Sequence, residues 1–437
     1  MADFADPIYP LEKAAFIRAL ATGHGRAVIH AERFGTEDLR EEILDAALFS
    51  KVYDSQSNGQ GEVWLAHLCG IAGLVDRVIA RNDGDIGLRC DMLLHFAQSG
   101  HPAARPALRE MCRYDEERND LAADCDIVDL EGEEGYLFVV GRAGEALSKH
   151  PEYWVSDTYE HVLDQQLGDG TAMAILDRES PGNPHIAAYR EAVLAYRAKL
   201  TPEADRTLPA VDEVIRHILT STKRIPRLRL CGEKATLEER RKVAALDFVM
   251  MEPVSLENYL YYFQRVGFPD FREEYLPLLR RPETRIHFRA HSALSHHAEP
   301  QVRAAAYEAL ERGELVSYVT LLRRSGLAVD VEPLLEATRV SGVLADADKA
   351  HDVTGALNHL VEENPEMNDL RLPVWIYEFS PCRVCRYKAV EIMAERLILP
   401  QWIAEECLSD AYDDIREIAA KYLGGRAEVL NTRSLGG

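Results

Sequence analysis

The sequence predicts an all-α protein, and three observations carry that expectation. Apolar residues recur at steps of three and four along most of the chain, no alternating segment bounded by turns on both sides reads as a strand, and four segments repeat one helix pattern without gaps.

Taken in order, Leu39, Ile43, Leu44, Ala47, Leu48 and Val52 mark one face of an amphipathic helix. Thr36 stands before it as an N-cap, and Gly35 ends the preceding segment. Residues 54–61 are turn-rich and read as a loop, and 63–79 as a single well-buried helix. The acidic stretch 114–135 reads as a loop. Residues 136–140 (YLFVV) fit a strand, but they lie in 135–147, which also has helical periodicity. Residues 221–235, with Pro226, Gly232 and a basic run, read as a second loop. Thr236 and Glu239 form a capping box opening a helix over 237–251, and Ser255 opens another that runs through Arg265 and is closed by Gly267. A frayed tail is expected from Gly424 to Gly437. The expected division is 1–113, helical repeats; 114–270, an irregular helical middle with acidic and basic loops; 271–423, further repeats; and 424–437, the tail.

The repeated segments are 99–112, 297–310, 380–393 and 410–423. Each begins with a short polar residue or His (Ser99, His297, Ser380, Asp410), suited to capping, and has arginine six positions later (Arg105, Arg303, Arg386, Arg416). The positions one before, three after and seven after the arginine share one helical stripe. They hold Ala104, Leu108 and Cys112; Val302, Ala306 and Leu310; Cys385, Ala389 and Met393; and Ile415, Ala419 and Leu423. Small residues there let neighbouring helices approach closely. The pattern resembles the second helix of HEAT repeats, with its polar turn, aliphatic–arginine pair and small residue, and is clearest in the last third. The resemblance implies a right-handed α-solenoid of HEAT-like hairpins with irregular central segments, whose curved surface suits binding another protein.

Composition narrows the function classes. At 437 residues the chain can bury a large core, and a hydrophobic fraction of 47% excludes wholesale disorder. A net charge of -23 repels phosphate backbones and disfavours general nucleic-acid binding. The 8 scattered cysteines fit a reducing compartment, and no basic n-region or membrane-length apolar run is present, so a cytoplasmic protein without a membrane partner is expected. Basic charge carried mainly by arginine leads to the expectation of a high-GC bacterial source.

No catalytic, cofactor-binding or metal site is expected. Cys382 and Cys385 form one CxxC, but no second pair follows, and Cys385 occupies the buried aliphatic place of Val302 and Ile415. His287 and His291 share a helical face and a potential metal, yet the segment reads HFRAH and lacks the glutamate of HExxH. The two-iron centre of some HEAT-repeat hydroxylases uses His-Glu dipeptides, and the chain has none. The acidic run around Asp124 and Asp126 fails EF-hand spacing at Val128. The loop Gly23–Arg26 (GHGR) offers glycine amides to an anion but lacks the Lys-Ser/Thr of a P-loop, and reads as a tight inter-helix turn.

The basic run remains. Lys223, Arg224, Arg227, Arg229, Arg240 and Arg241, with Lys234 and Lys242, fall in a short span offset by Glu233, Glu238 and Glu239. The expected function is therefore a non-enzymatic protein-interaction scaffold, with those six residues as the partner site. Two alternatives are carried with it: an enzyme on a HEAT-like scaffold, of lyase or glycosylase type, and a nucleic-acid or phosphate-binding module through 221–242.

Overall fold

A computed structural model describes residues 6–59, 61–199 and 208–434, with side chains as far as residue 425. It is all-α apart from a two-residue hairpin, Tyr114–Asp115 with Asp120–Leu121. Among the described residues no helix is long and apolar enough to cross a membrane. The chain forms two compact units. One takes the described residues between Pro7 and 199 together with Trp402–Ala419; the other takes those between 208 and Gln401 and those from Ala420 on. Residues 114 and 271, where the sequence suggests divisions, each fall within one of these units.

In the first unit, helix Glu133–Lys149 packs on Asp124–Glu131 and on Pro184–Lys199. A Cβ on Gly144 would meet the His185 carbonyl oxygen at 1.8 Å, so glycine permits this close crossing. The C-terminal segment returns here: Ala411 donates to the Gly23 carbonyl at 2.9 Å and the Trp64 indole N–H to that of Ser409 at 2.8 Å.

In the second unit a row of helices forms, each packed on the next: Leu228–Lys234, Pro253–Phe263, Thr284–Leu294, Leu315–Leu321, Ala347–Glu363 and Arg383–Glu395. Pro300–Glu311 packs against the fourth of these, and Arg371–Phe379 against the last two. One apolar core runs through them, from Leu228 and Tyr259 to Ala389 and Ile392.

Several sequence expectations require correction. The acidic stretch 114–135 is not a loop throughout: after the hairpin it forms helix Asp124–Glu131, because Asp124 and Asp126 lie in the first turn, where carboxylates complement the helix dipole, and Ile127 and Val128 are buried. Residues 221–235 contain helix Leu228–Lys234. Gly232 does not make a turn there; a Cβ would lie 1.9 Å from the Tyr262 carbonyl oxygen, so it serves helix contact. The helix expected over 63–79 breaks at Gly73, whose φ is 62°, into Glu62–Ile71 and Val75–Ala80. The one expected over 237–251 ends at Ala244, followed by a short 3-10 turn. The expected tail continues as helix Asp413–Ser434 through Gly424 and Gly425, and 435–437 lie outside the described residues.

The Thr236–Glu239 capping box forms as expected. The four repeated segments also fold as helices, with Ala104, Val302, Ile415, Leu108, Ala306, Ala389 and Ala419 fully buried. Their polar starters do not cap the helices directly. Two of them tie the preceding turn instead: Ser380 Oγ accepts from the Cys382 amide at 3.2 Å and Asp410 from that of Tyr412 at 2.9 Å.

Candidate functional site

The basic run is split by its own fold. Lys223, Arg224 and Arg227 are exposed on the turn before helix Leu228–Lys234, Arg229 lies half-buried within it, and Arg240 and Arg241 belong to helix Leu237–Ala244. The last two are withdrawn from the group. Arg241 grips Asp270 with two bonds, at 3.0 and 3.1 Å, and Arg240 turns its Nε inward with no hydrogen-bond partner among the described residues. Arg229 instead faces the tyrosine ring of Tyr261, which Arg289 also covers at 4.1 Å.

This joins Arg229 to a wider cationic set that the sequence reading missed. Glu233 is shared by Arg229 and Arg265, at 4.0 and 2.9 Å; Glu257 is shared by Arg285 and Arg289, at 3.8 and 3.1 Å; and Glu363 is shared by Arg323 and Arg324. Each carboxylate serves two guanidiniums, so each group keeps a positive surplus in a chain of net charge -23. Arg265 and Arg323 also line one cavity of about 560 Å³ on the helix row, with the half-exposed Phe288, with Ala356, His351 and His359, and with one carboxylate, Asp352.

Two donor clusters lie in the same unit. His287 and His291 do share a helix face, with ring centroids 4.2 Å apart, and Glu314 at the start of helix Leu315–Leu321 joins them; the three donor atoms lie within 4.8 Å of one another. His291 Nδ1 is 2.8 Å from the His287 carbonyl oxygen, which can only accept, so Nδ1 carries the proton and Nε2 presents a lone pair. That Nε2 is buried without a hydrogen-bond partner. Burial lowers the His291 pKa to about 4. Glu314 is already engaged by Arg312 through two bonds of 2.8 Å, which hold its carboxyl below the usual range. Beside them opens a cavity of about 600 Å³ whose lining includes Arg280, His287, Glu308 and Arg312.

The second cluster contains Cys382 and Cys385. Cys382 is the N-cap of helix Arg383–Glu395 and Cys385 lies one turn in, so both sulfurs gather at the helix start. Both are buried, as the repeat position of Cys385 predicts. His351, on helix Ala347–Glu363, brings its Nδ1 to 3.7 Å from the Cys385 sulfur. The Cys385 thiol donating to Cys382, and then the first-turn amides and His351, lower the Cys382 pKa; the same pairing and burial raise that of Cys385. His351, Thr354 and Asn358 form one stripe along their helix. Thr354 Oγ1 meets Ser380 Oγ at 3.3 Å and Asn358 donates to the Cys385 carbonyl at 2.8 Å, locking the stripe onto the turn that carries the thiols.

The GHGR loop is occupied by the chain itself. A Cβ on Gly25 would lie 1.9 Å from the Glu406 carbonyl oxygen, and Arg26 Nε is 2.7 Å from Glu406 Oε1. The glycines there admit the returning C-terminal segment.

No family model, no curated protein and no solved structure matches the chain.

Proposed function

We propose that this chain is a non-enzymatic, HEAT-like interaction scaffold that takes an acidic segment of a partner protein along the helix row of its second unit. The observation that carries this reading is the set of three glutamates each shared between two arginines. A lone Arg–Glu pair is neutral. A shared glutamate orients two planar guanidiniums and leaves a charge to be satisfied from outside. The cavity between Arg265 and Arg323, with Phe288 exposed at its side, gives such a segment room for one apolar anchor. Arg224, exposed and without an ion pair among the described residues, and Arg227 extend the same surface. The row of successively packed helices supports the stacked-hairpin, solenoid reading.

Fluorescence anisotropy with a labelled glutamate-rich peptide carrying one aromatic residue tests the proposal. Binding should weaken steeply with salt, and the double reversal Arg224→Glu and Arg227→Glu, both exposed, should reduce it at least about tenfold at low salt. The fold should survive, since exposed changes cost within about 0.5 kcal/mol. Unchanged peptide affinity in the folded double variant would sink the reading. Tighter binding of a single-stranded oligonucleotide than of the peptide would replace it with the nucleic-acid alternative.

A further inference from the structure

We propose that Cys382, Cys385 and His351 hold one thiophilic cation of the zinc class, which ties helix Ala347–Glu363 to the first turn of helix Arg383–Glu395. The donors are two sulfurs and an imidazole nitrogen, the set that selects zinc-like ions over magnesium or calcium. Their separations suit it. Around a tetrahedral zinc, bonds of about 2.3 Å to sulfur and 2.0–2.1 Å to nitrogen put neighbouring sulfur and nitrogen about 3.6 Å apart. The Cys385 sulfur and His351 Nδ1 are 3.7 Å apart, and all three donor atoms lie within 4.8 Å of one another.

The surroundings match the chemistry. The sulfurs sit at a helix N-terminus, where the dipole favours the thiolate a metal requires. The Thr354–Ser380 and Asn358–Cys385 hydrogen bonds fix the two helices that supply the ligands before any ion arrives, as outer-shell bonds do at metal centres. Three protein donors leave one coordination position for water or a small ligand. His351 also borders the 560 Å³ cavity, so that position can face the groove. The inference does not rest on the partner reading: an ion can bind here whether or not a peptide does.

Metal binding to the full-length chain, reduced with a phosphine, tests it. Cobalt(II) should saturate at one ion per chain with a near-ultraviolet thiolate charge-transfer band, and zinc should displace it. Zinc should also protect both thiols from alkylation. Cys382→Ser and Cys385→Ser should diminish the band, and His351→Gln, which keeps both thiols, should weaken zinc binding at least about tenfold. The double variant His287→Ala and His291→Leu should leave the band unchanged, since that cluster has no sulfur. If the cysteine variants fail to fold, the wild-type cobalt spectrum and the His351→Gln titration carry the test. Absence of the charge-transfer band, equal alkylation rates with and without zinc, or unaltered zinc affinity in folded His351→Gln would each overturn the site.

Discussion

The two donor clusters of the second unit are built alike and end in opposite chemical states. Each takes ligand-type side chains from two helices of the same packed row. In the sulfur cluster, neighbouring hydroxyls and an amide brace the turn that carries the two thiols, and the imidazole comes to 3.7 Å from the Cys385 sulfur. In the histidine cluster, the carboxylate is spent on Arg312 and one imidazole nitrogen is left buried with nothing to accept from. Proximity of donors therefore does not make a binding site by itself. What decides is whether the protein's own cations have already claimed them. A cation entering the histidine cluster must compete with the two charge-assisted hydrogen bonds from Arg312; one entering the sulfur cluster takes the place of thiol protons.

The largest test of this contrast is acid. The His291 pKa is about 6.5 unfolded and about 4 folded, so the unfolded chain binds the extra proton first. Its contribution is complete above pH 6.5 and is lost as pH falls toward 4, a swing of roughly 3 kcal/mol. His296, lowered to about 4 by burial and the neighbouring Arg323, adds in the same window. Chemical denaturation across that range should show stability falling, and His291→Leu should flatten part of the slope. Equal slopes in the two proteins would mean that the Nε2 pocket is wet and the contrast false. Next in size is Asn358→Ala, which strips the Cys385 carbonyl of its buried side-chain donor and should cost about 1–3 kcal/mol. A loss below about 0.5 kcal/mol in urea would show that the sulfur cluster is not braced as described. Smallest is Glu314→Gln. Arg312 and Glu314 are both partly solvated, so removing their charge pair should cost under about 1 kcal/mol. A larger loss would make that pair the main support of its cluster.

Much of this was legible in the sequence, and what was not has local reasons. The capping box at Thr236 and the buried stripe around Arg303 could be read because both depend on spacing within one helix. The shared face of His287 and His291 could be read for the same reason. Glu314 and His351 could not, since each reaches its cluster from another helix. A signal for His351 did exist: His351, Thr354 and Asn358 recur at steps of three and four, but on an amphipathic helix such a polar stripe reads as the solvent face. The basic run misled in the opposite sense. Its residues are neighbours in sequence, yet the turn at Ala235 and Thr236 sends Arg240 and Arg241 to a helix where Asp270 holds Arg241. The acidic stretch before Gly132 reads as solvated loop because charge alone says nothing of Ile127 and Val128 beneath it.

The return of Trp402–Ala419 to the N-terminal unit has a consequence for how the molecule comes into being on the ribosome. The Trp64 indole, the Gly23 carbonyl and the Arg26 guanidinium acquire their partners only from residues translated hundreds of positions later. At about 5–20 residues per second, the stretch of roughly 200 residues between the two parts delays completion by on the order of 10–40 s. During that interval the helices of the first unit stand as an unfinished body with an open seam, while most of the second unit packs from the chain between 208 and Gln401 as it emerges. A nascent polypeptide stalled before Trp402 would thus be impaired in its first unit, far from the point of arrest.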